Sequence, residues 1–199
     1  MNIEISDQPL RWGSLDVSLF GLASDWYNHV LDKPITFSLA ADHDYLWFIA
    51  CHDTPASIHP DASPGEFAIE LWKNDVAELF ILDPSTGRYL EINVAPNGAW
   101  WSAFFTSPRV RENKEEIQLE GVATYADHSP TDGWMTAAAI PLKMLREELN
   151  FGDESMMNVT FIVNSPDQQF ISAAKLQGCE PDFHQPDHFK KITFFHQNS

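Results

Sequence analysis

The chain has 199 residues, of which 44% are hydrophobic and 13% aromatic, enough material for one sizeable core. Twelve Lys and Arg stand against 29 Asp and Glu, and the resulting formal charge of −17 at pH 7 gives a surface that repels phosphate backbones and anionic lipid headgroups. Composition therefore argues against nucleic-acid and membrane-surface partners and leaves neutral ligands, or cations held by acidic loops, as the compatible ones.

The opening stretch, "MNIEISDQPLRWG", has neither a basic start nor a seven-residue apolar run, so no signal peptide is read there and a cytoplasmic protein is expected. No apolar run approaches the roughly 18 residues of a membrane helix. Cys51 and Cys179 lie far apart and are expected to be free thiols. "ASDWYNHVL" (23–31) is a short helix candidate with Ser24 as its cap. "ITFSLA" (35–40) and "YLWFIAC" (45–51) flank "ADHD" and predict a hairpin.

Residues 52–66 are polar and Pro-rich, as a loop would be; "LWKNDVAELFIL" (71–82) then reads as a buried strand. "YLEINVA" (89–95) alternates, placing Leu90, Ile92 and Val94 toward the core and Tyr89, Glu91 and Asn93 outward or into a cleft. A "PNG" turn leads into "AWWSAFFTS", and "TYADHSPTDG" (124–133) looks like a loop. Strands are expected at 133–140, 158–164, 169–174 and 191–196, with a helix at 141–149 that starts on Pro141 and spaces Leu142, Leu145 and Leu149 along one face. Runs of strands with one or two short helices predict an all-β, antiparallel β-sandwich forming a single domain over 1–199.

Glu78 is the residue this pattern leaves unexplained. Strand parity puts it on one face with Val76, Phe80 and Leu82, where an ionised carboxylate is costly without a partner. Asp75 and Glu78 have opposite parity, so they are not read as an acid/base pair for glycoside hydrolysis. There is no G-x-S-x-G and no Gly-rich phosphate loop, and a non-catalytic protein is expected. Asp182, His184, Asp187 and His188 carry metal-ligating atoms, but a Pro-containing loop fixes no geometry; there Phe183 and Phe189 are expected to plug the end of the sandwich while His184 bonds to backbone.

"LWKNDVAELFIL", "GRYLEINVAPNGAW", "GWMTAAAIPLKML" and "PDFHQPDHFKKITF", in this order, resemble the successive landmarks of the DOMON-like carbohydrate-binding modules of family 9, over about residues 34–195. The resemblance implies a β-sandwich that binds a neutral mono- or oligosaccharide by aromatic stacking and polar contacts to hydroxyls. It makes Trp72 an aromatic wall, Glu78 a hydroxyl acceptor and Asn93 a further polar contact, with Lys73 or Arg109 assisting Glu78.

The family's second tryptophan has no counterpart in "QFISAAKLQGC", so Trp100, Trp101 or Phe170 would take its place; Trp100 and Trp101 are adjacent, and only one of them can face a cleft. Bland readings stand beside these, with Trp72 as a packing residue and Glu78 as a structural acceptor. The resemblance also admits an interaction module without a small ligand. A b-type haem domain using Met156, Met157 or Lys175 is the third class. Beyond that no cofactor is expected except structural calcium, for which the loops around Asp61 and Asp132 are the candidates.

Overall fold

Period-two alternation sorts the apolar residues of most strands onto one face, and two sheets close over them. The computed structural model describes residues 1–129, 131–164 and 167–196. In chain order the strands are β1 (Asn2–Ile5), β2 (Phe20–Ser24), β3 (Val30–Ala41), β4 (Tyr45–His52), β5 (Val76–Leu82), β6 (Tyr89–Val94), β7 (Trp100–Ser107), β8 (Val110–Arg111), β9 (Ala123–His128), β10 (Trp134–Pro141), β11 (Met156–Val163), β12 (Gln169–Ser172), β13 (Lys190–Lys191) and β14 (Thr193–His196). One helix, α1 (Leu142–Leu149), follows β10 directly.

The first sheet has the order β14-β1-β3-β4-β10-β9, with β2 also paired to β3; the second runs β12-β11-β5-β6-β7-β8, with β13 also on β11. Pairing is antiparallel except at β1, which runs parallel to both β3 and β14. The core lies between the sheets. Leu39, Phe48 and Ile140 from the first meet Leu79, Ile92 and Phe161 from the second, and α1 adds Leu142, Leu145 and Leu149.

Both outer faces carry apolar residues as well. On the first sheet, Trp47, Ile49 and Ala139 are covered by Leu10, Trp12, Leu15 and Val17 from the segment between β1 and β2, with Tyr125 sandwiched between Trp12 and Trp47 at 5.6 Å from each. On the second sheet, Phe80, Tyr89 and Phe105 are covered by Phe183 and Phe189. A cover of loops over strands leaves room that a second sheet would fill, and the candidate site lies in that room.

Four expectations are corrected. Residues 23–31 form no helix: they are the end of β2, the bend at 25–29 and the start of β3. There Asp25 accepts hydrogen bonds from the Tyr27 and His29 amides at 2.9 and 2.8 Å, and Asn28 takes the left-handed conformation with φ of 66°. An Asx turn has outcompeted the cap. "TYADHSPTDG" is not all loop, since β9 pairs with β10 from Ala123 to His128; its polar residues are those of a sheet edge. Pro130, within that stretch, lies outside the described residues. In "LWKNDVAELFIL" only Val76–Leu82 is strand, and Leu71–Lys73 is a single 3-10 turn. Finally, Phe183 and Phe189 cover the outer face of the second sheet instead of plugging the end of the sandwich.

Candidate functional site

Register assembles the floor of the site. Thr160, Glu78, Asn93 and Trp101 are successive cross-strand partners on β11, β5, β6 and β7, so they form one row on the outer face. Two residues along, the next row is Asn158, Phe80, Glu91 and Ala103, and the one after it includes Tyr89, Phe105 and Arg111. Neighbouring strands lie about 4.8 Å apart, which brings the side chains of a row into contact.

Over these rows opens a pocket of about 550 Å³. Trp72 on its 3-10 turn, Phe170 of β12 and Phe183 of the covering loop give it aromatic walls, while Glu78, Glu91 and Asn93 form its polar floor. Trp72 keeps 50% of its surface exposed, whereas Leu71 beside it is buried and anchors the turn. Glu70 precedes the turn in the left-handed conformation (φ 62°), and that reversal lifts the indole out over the sheet.

Glu78 finds its partner in the sheet itself. The Thr160 hydroxyl donates to its Oε2 at 2.7 Å. Burial pushes the Glu78 carboxyl above the ordinary range, against the opposing effect of that hydrogen bond. Glu91 accepts from Asn93 Nδ2 at 2.9 Å, and its carboxyl is raised first by burial and then by the charge of Glu78. Asn93 Oδ1, on a side chain that is almost wholly buried, has no hydrogen-bond partner.

At the far side His184 Nδ1 lies 2.8 Å from the Tyr89 hydroxyl, and its Nε2 is 3.6 Å from Glu91. Burial, followed by the Arg109 guanidinium, lowers the imidazole pKa to about 4, so the ring is neutral at pH 7 and shares a hydrogen bond with the Tyr89 hydroxyl at Nδ1. Burial likewise raises the Tyr89 phenol. The guanidinium of Arg111 stacks 4.7 Å from the Trp101 ring and pairs with Glu116, which also accepts the Trp101 indole N–H.

Of the residues singled out by sequence, Trp72, Glu78, Asn93, Trp101 and Arg109 all line this pocket. Trp100 does not. Its parity sends it into the sandwich core, where it meets Phe67 edge-on at 5.2 Å. Lys73 does not line the pocket either: its ammonium pairs with Glu70 at 2.7 Å, with Nζ 5.6 Å from the Trp72 ring. Arg109 is held by Asp182 at 2.9 Å, so the group assisting Glu78 is Thr160 and neither proposed cation.

Asp75 is buried away from the pocket and accepts from the Ser57 and Asn164 amides. His184 bonds to a side chain, contrary to the backbone bond expected of it. Met156, Met157 and Lys175 do not line the pocket. Among the described residues no three His, Cys, Asp or Glu side chains gather into a group that could hold a metal ion. Both cysteines are free.

Sequence reasoning passed over Arg111 and Glu116, which nothing local announced. It faced Glu91 outward or into a cleft and noticed His184, but gave neither a place in a ligand site.

The two-sheet β-sandwich has counterparts among solved structures. A provisionally named carbohydrate-binding protein from Bacteroides uniformis superposes with a TM-score of 0.68 at 15% identity, covering 90% of this chain and 87% of that one. A carbohydrate binding module of family 9 from Caldicellulosiruptor kristjanssonii, in complex with glucose, matches with a TM-score of 0.62 at 14% identity, over 100% and 96% of the two chains. At these identities the likeness establishes the fold.

By sequence the chain is similar to the UPF0462 protein C4orf33 homolog of Rattus norvegicus, 27% identical over 147 residues, which are 72% of this chain and 69% of the relative. It is also similar to an "Extracellular protein" of Arthroderma benhamiae, 29% identical over 173 residues, 78% of this chain and 70% of that protein. No protein-family model matches it.

Proposed function

We propose that this chain is a saccharide-binding protein and that its ligand lies in the pocket on the outer face of the second sheet, where it is bound without being converted. One observation carries the reading: a single cross-strand row aligns Glu78 and Asn93, with Glu91 one row away, beneath the half-exposed indole of Trp72. An indole face suits the C–H face of a pyranose, and carboxyl and amide oxygens accept from its hydroxyls. Phe170 and Phe183 add further aromatic surface to the pocket. The bound glucose and cellotriose of the Caldicellulosiruptor kristjanssonii module support a sugar as the ligand class.

The proposal of binding without conversion has support in the structural counterparts, which are described as a carbohydrate-binding protein and as a carbohydrate binding module. Titration calorimetry with glucose and cellotriose, backed by a glycan array, tests the whole reading. Saturable binding that weakens in Trp72→Ala, with the sugar recovered unchanged, is the expected result. Absence of binding to every glycan would refute it and leave an interaction module of the same fold.

A further inference from the structure

Once the ion pairs at the pocket are assigned, two carboxyls are left over. Glu70 is paired with Lys73, Glu116 with Arg111, and Arg109 with Asp182, at 2.7, 2.7 and 2.9 Å. Among the described residues Glu78 has no salt-bridge partner, and Glu91 has only the neutral His184, at 3.6 Å; the Arg111 and Arg109 guanidiniums influence Glu91 from a distance while paired elsewhere. The third floor residue adds another acceptor: Asn93 spends its Nδ2 on Glu91, which leaves Oδ1 unpartnered on a side chain only 1% exposed. With both carboxyls ionised the floor offers acceptors only, and the two guanidiniums that also line the pocket, Arg109 and Arg111, are already paired with Asp182 and Glu116.

We infer that the pocket selects a sugar bearing a primary ammonium group, an amino sugar, over the sugar with a hydroxyl at the same position. This rests on the saccharide-binding reading above and names the ligand class within it. An ammonium brings three N–H donors and no acceptor, whereas a hydroxyl brings one donor and two lone pairs that this floor has little to satisfy. Hydrogen bonds between charged groups are roughly twice as strong as neutral ones, and more so where water is excluded.

The aromatic walls favour a cation further, through the negative faces of the rings of Trp72 and Phe183. A formal charge of −17 raises the local concentration of any cationic ligand. In the empty pocket burial disfavours the charged form of both carboxyls, and the Glu78 charge adds to this at Glu91; an arriving ammonium acts in the opposite sense by supplying a counter-charge.

The test is calorimetry at low ionic strength and neutral pH with three probes: glucose, glucosamine and 6-amino-6-deoxyglucose. At least one amino sugar is expected to bind about tenfold more tightly than glucose, the difference between a charged and a neutral hydrogen bond. That advantage should fall toward one in Glu78→Gln or Glu91→Gln, which keep the shape and remove the charge. Glucose binding with neither amino sugar tighter overturns the inference and leaves saccharide binding standing; no binding of any of the three probes overturns the inference, and an empty glycan array beside it overturns the saccharide reading too. An ammonium preference that survives in both glutamine variants also overturns it, because the preference would then arise elsewhere.

Discussion

Replacing Trp72 by Ala separates a ligand wall from a packing residue, because the two roles put the cost in different measurements. A tryptophan carries about 200 Å² of surface, and Trp72 keeps 50% of its own in water, so about 100 Å² is buried against the protein. At about 25 cal/mol per Å² that is about 2.5 kcal/mol of apolar burial, and the compactness of real unfolded chains reduces it to about 2 kcal/mol or less. A fully buried tryptophan truncated to Ala costs about 3–5 kcal/mol.

Binding should respond differently. A pyranose laid on the free face removes about 50 Å² from each partner, about 2.5 kcal/mol in all by the same coefficient and roughly a 70-fold loss of affinity when the wall is gone. Thermal and urea melts read the first quantity and calorimetry reads the second. A variant destabilised by about 4 kcal/mol, or one that binds the sugar as tightly as the parent, would refute the assignment of Trp72 as a wall.

Three further outcomes are expected. Trp100→Ala, next in sequence to a pocket residue yet buried at 2% exposure in the core, should lose about 3–5 kcal/mol of stability, measured by urea unfolding. Thr160→Val removes the donor to Glu78 and should cost about 1–3 kcal/mol near pH 8 but less near pH 5, where the carboxyl carries its own proton. The third concerns pH. The folded chain holds protons on Glu78 and Glu91 that the unfolded chain releases above the ordinary 4.5, so this stability is fully present below 4.5 and is lost as pH rises through their raised values. His184, lowered in the folded state, acts in the opposite sense only below its ordinary 6.5. Melting temperature should therefore fall on raising the pH above about 6.5, and Glu78→Gln should flatten the slope. An unchanged slope in that variant would show that Glu78 does not titrate across this range.

Much of the floor was legible because strand parity is a local property. Glu78 and Asn93 were assigned to cleft-facing positions from alternation and family resemblance, and "YLEINVA" put Glu91 on the same face as Asn93. Parity also limited Trp100 and Trp101 to one cleft residue between them. Alternation could not say which sheet face each would meet, and here register decided: Asn93 opposes Trp101, so Trp101 lines the pocket and Trp100 the core. The reach of Lys73 was misjudged for a related reason. Its strand assignment was wrong, and on a 3-10 turn three residues back stands Glu70, which captures the ammonium.

The sequence by itself determined the long central strands, the helix at 141–149 and the face on which a buried carboxylate would stand, because these follow from spacing within a dozen residues. It carried the turn chemistry of Asp25 too, unread. Only the tertiary structure decided Glu78's partner, since Thr160 is 82 residues away and comes opposite it through the register of β11 on β5. The same holds for His184, brought beside Glu91 and Tyr89 by a loop that crosses the sheet 95 residues after Tyr89 in the chain. Partners at that separation are fixed by how whole sheets pack and pair, a property of the global fold that no local spacing encodes.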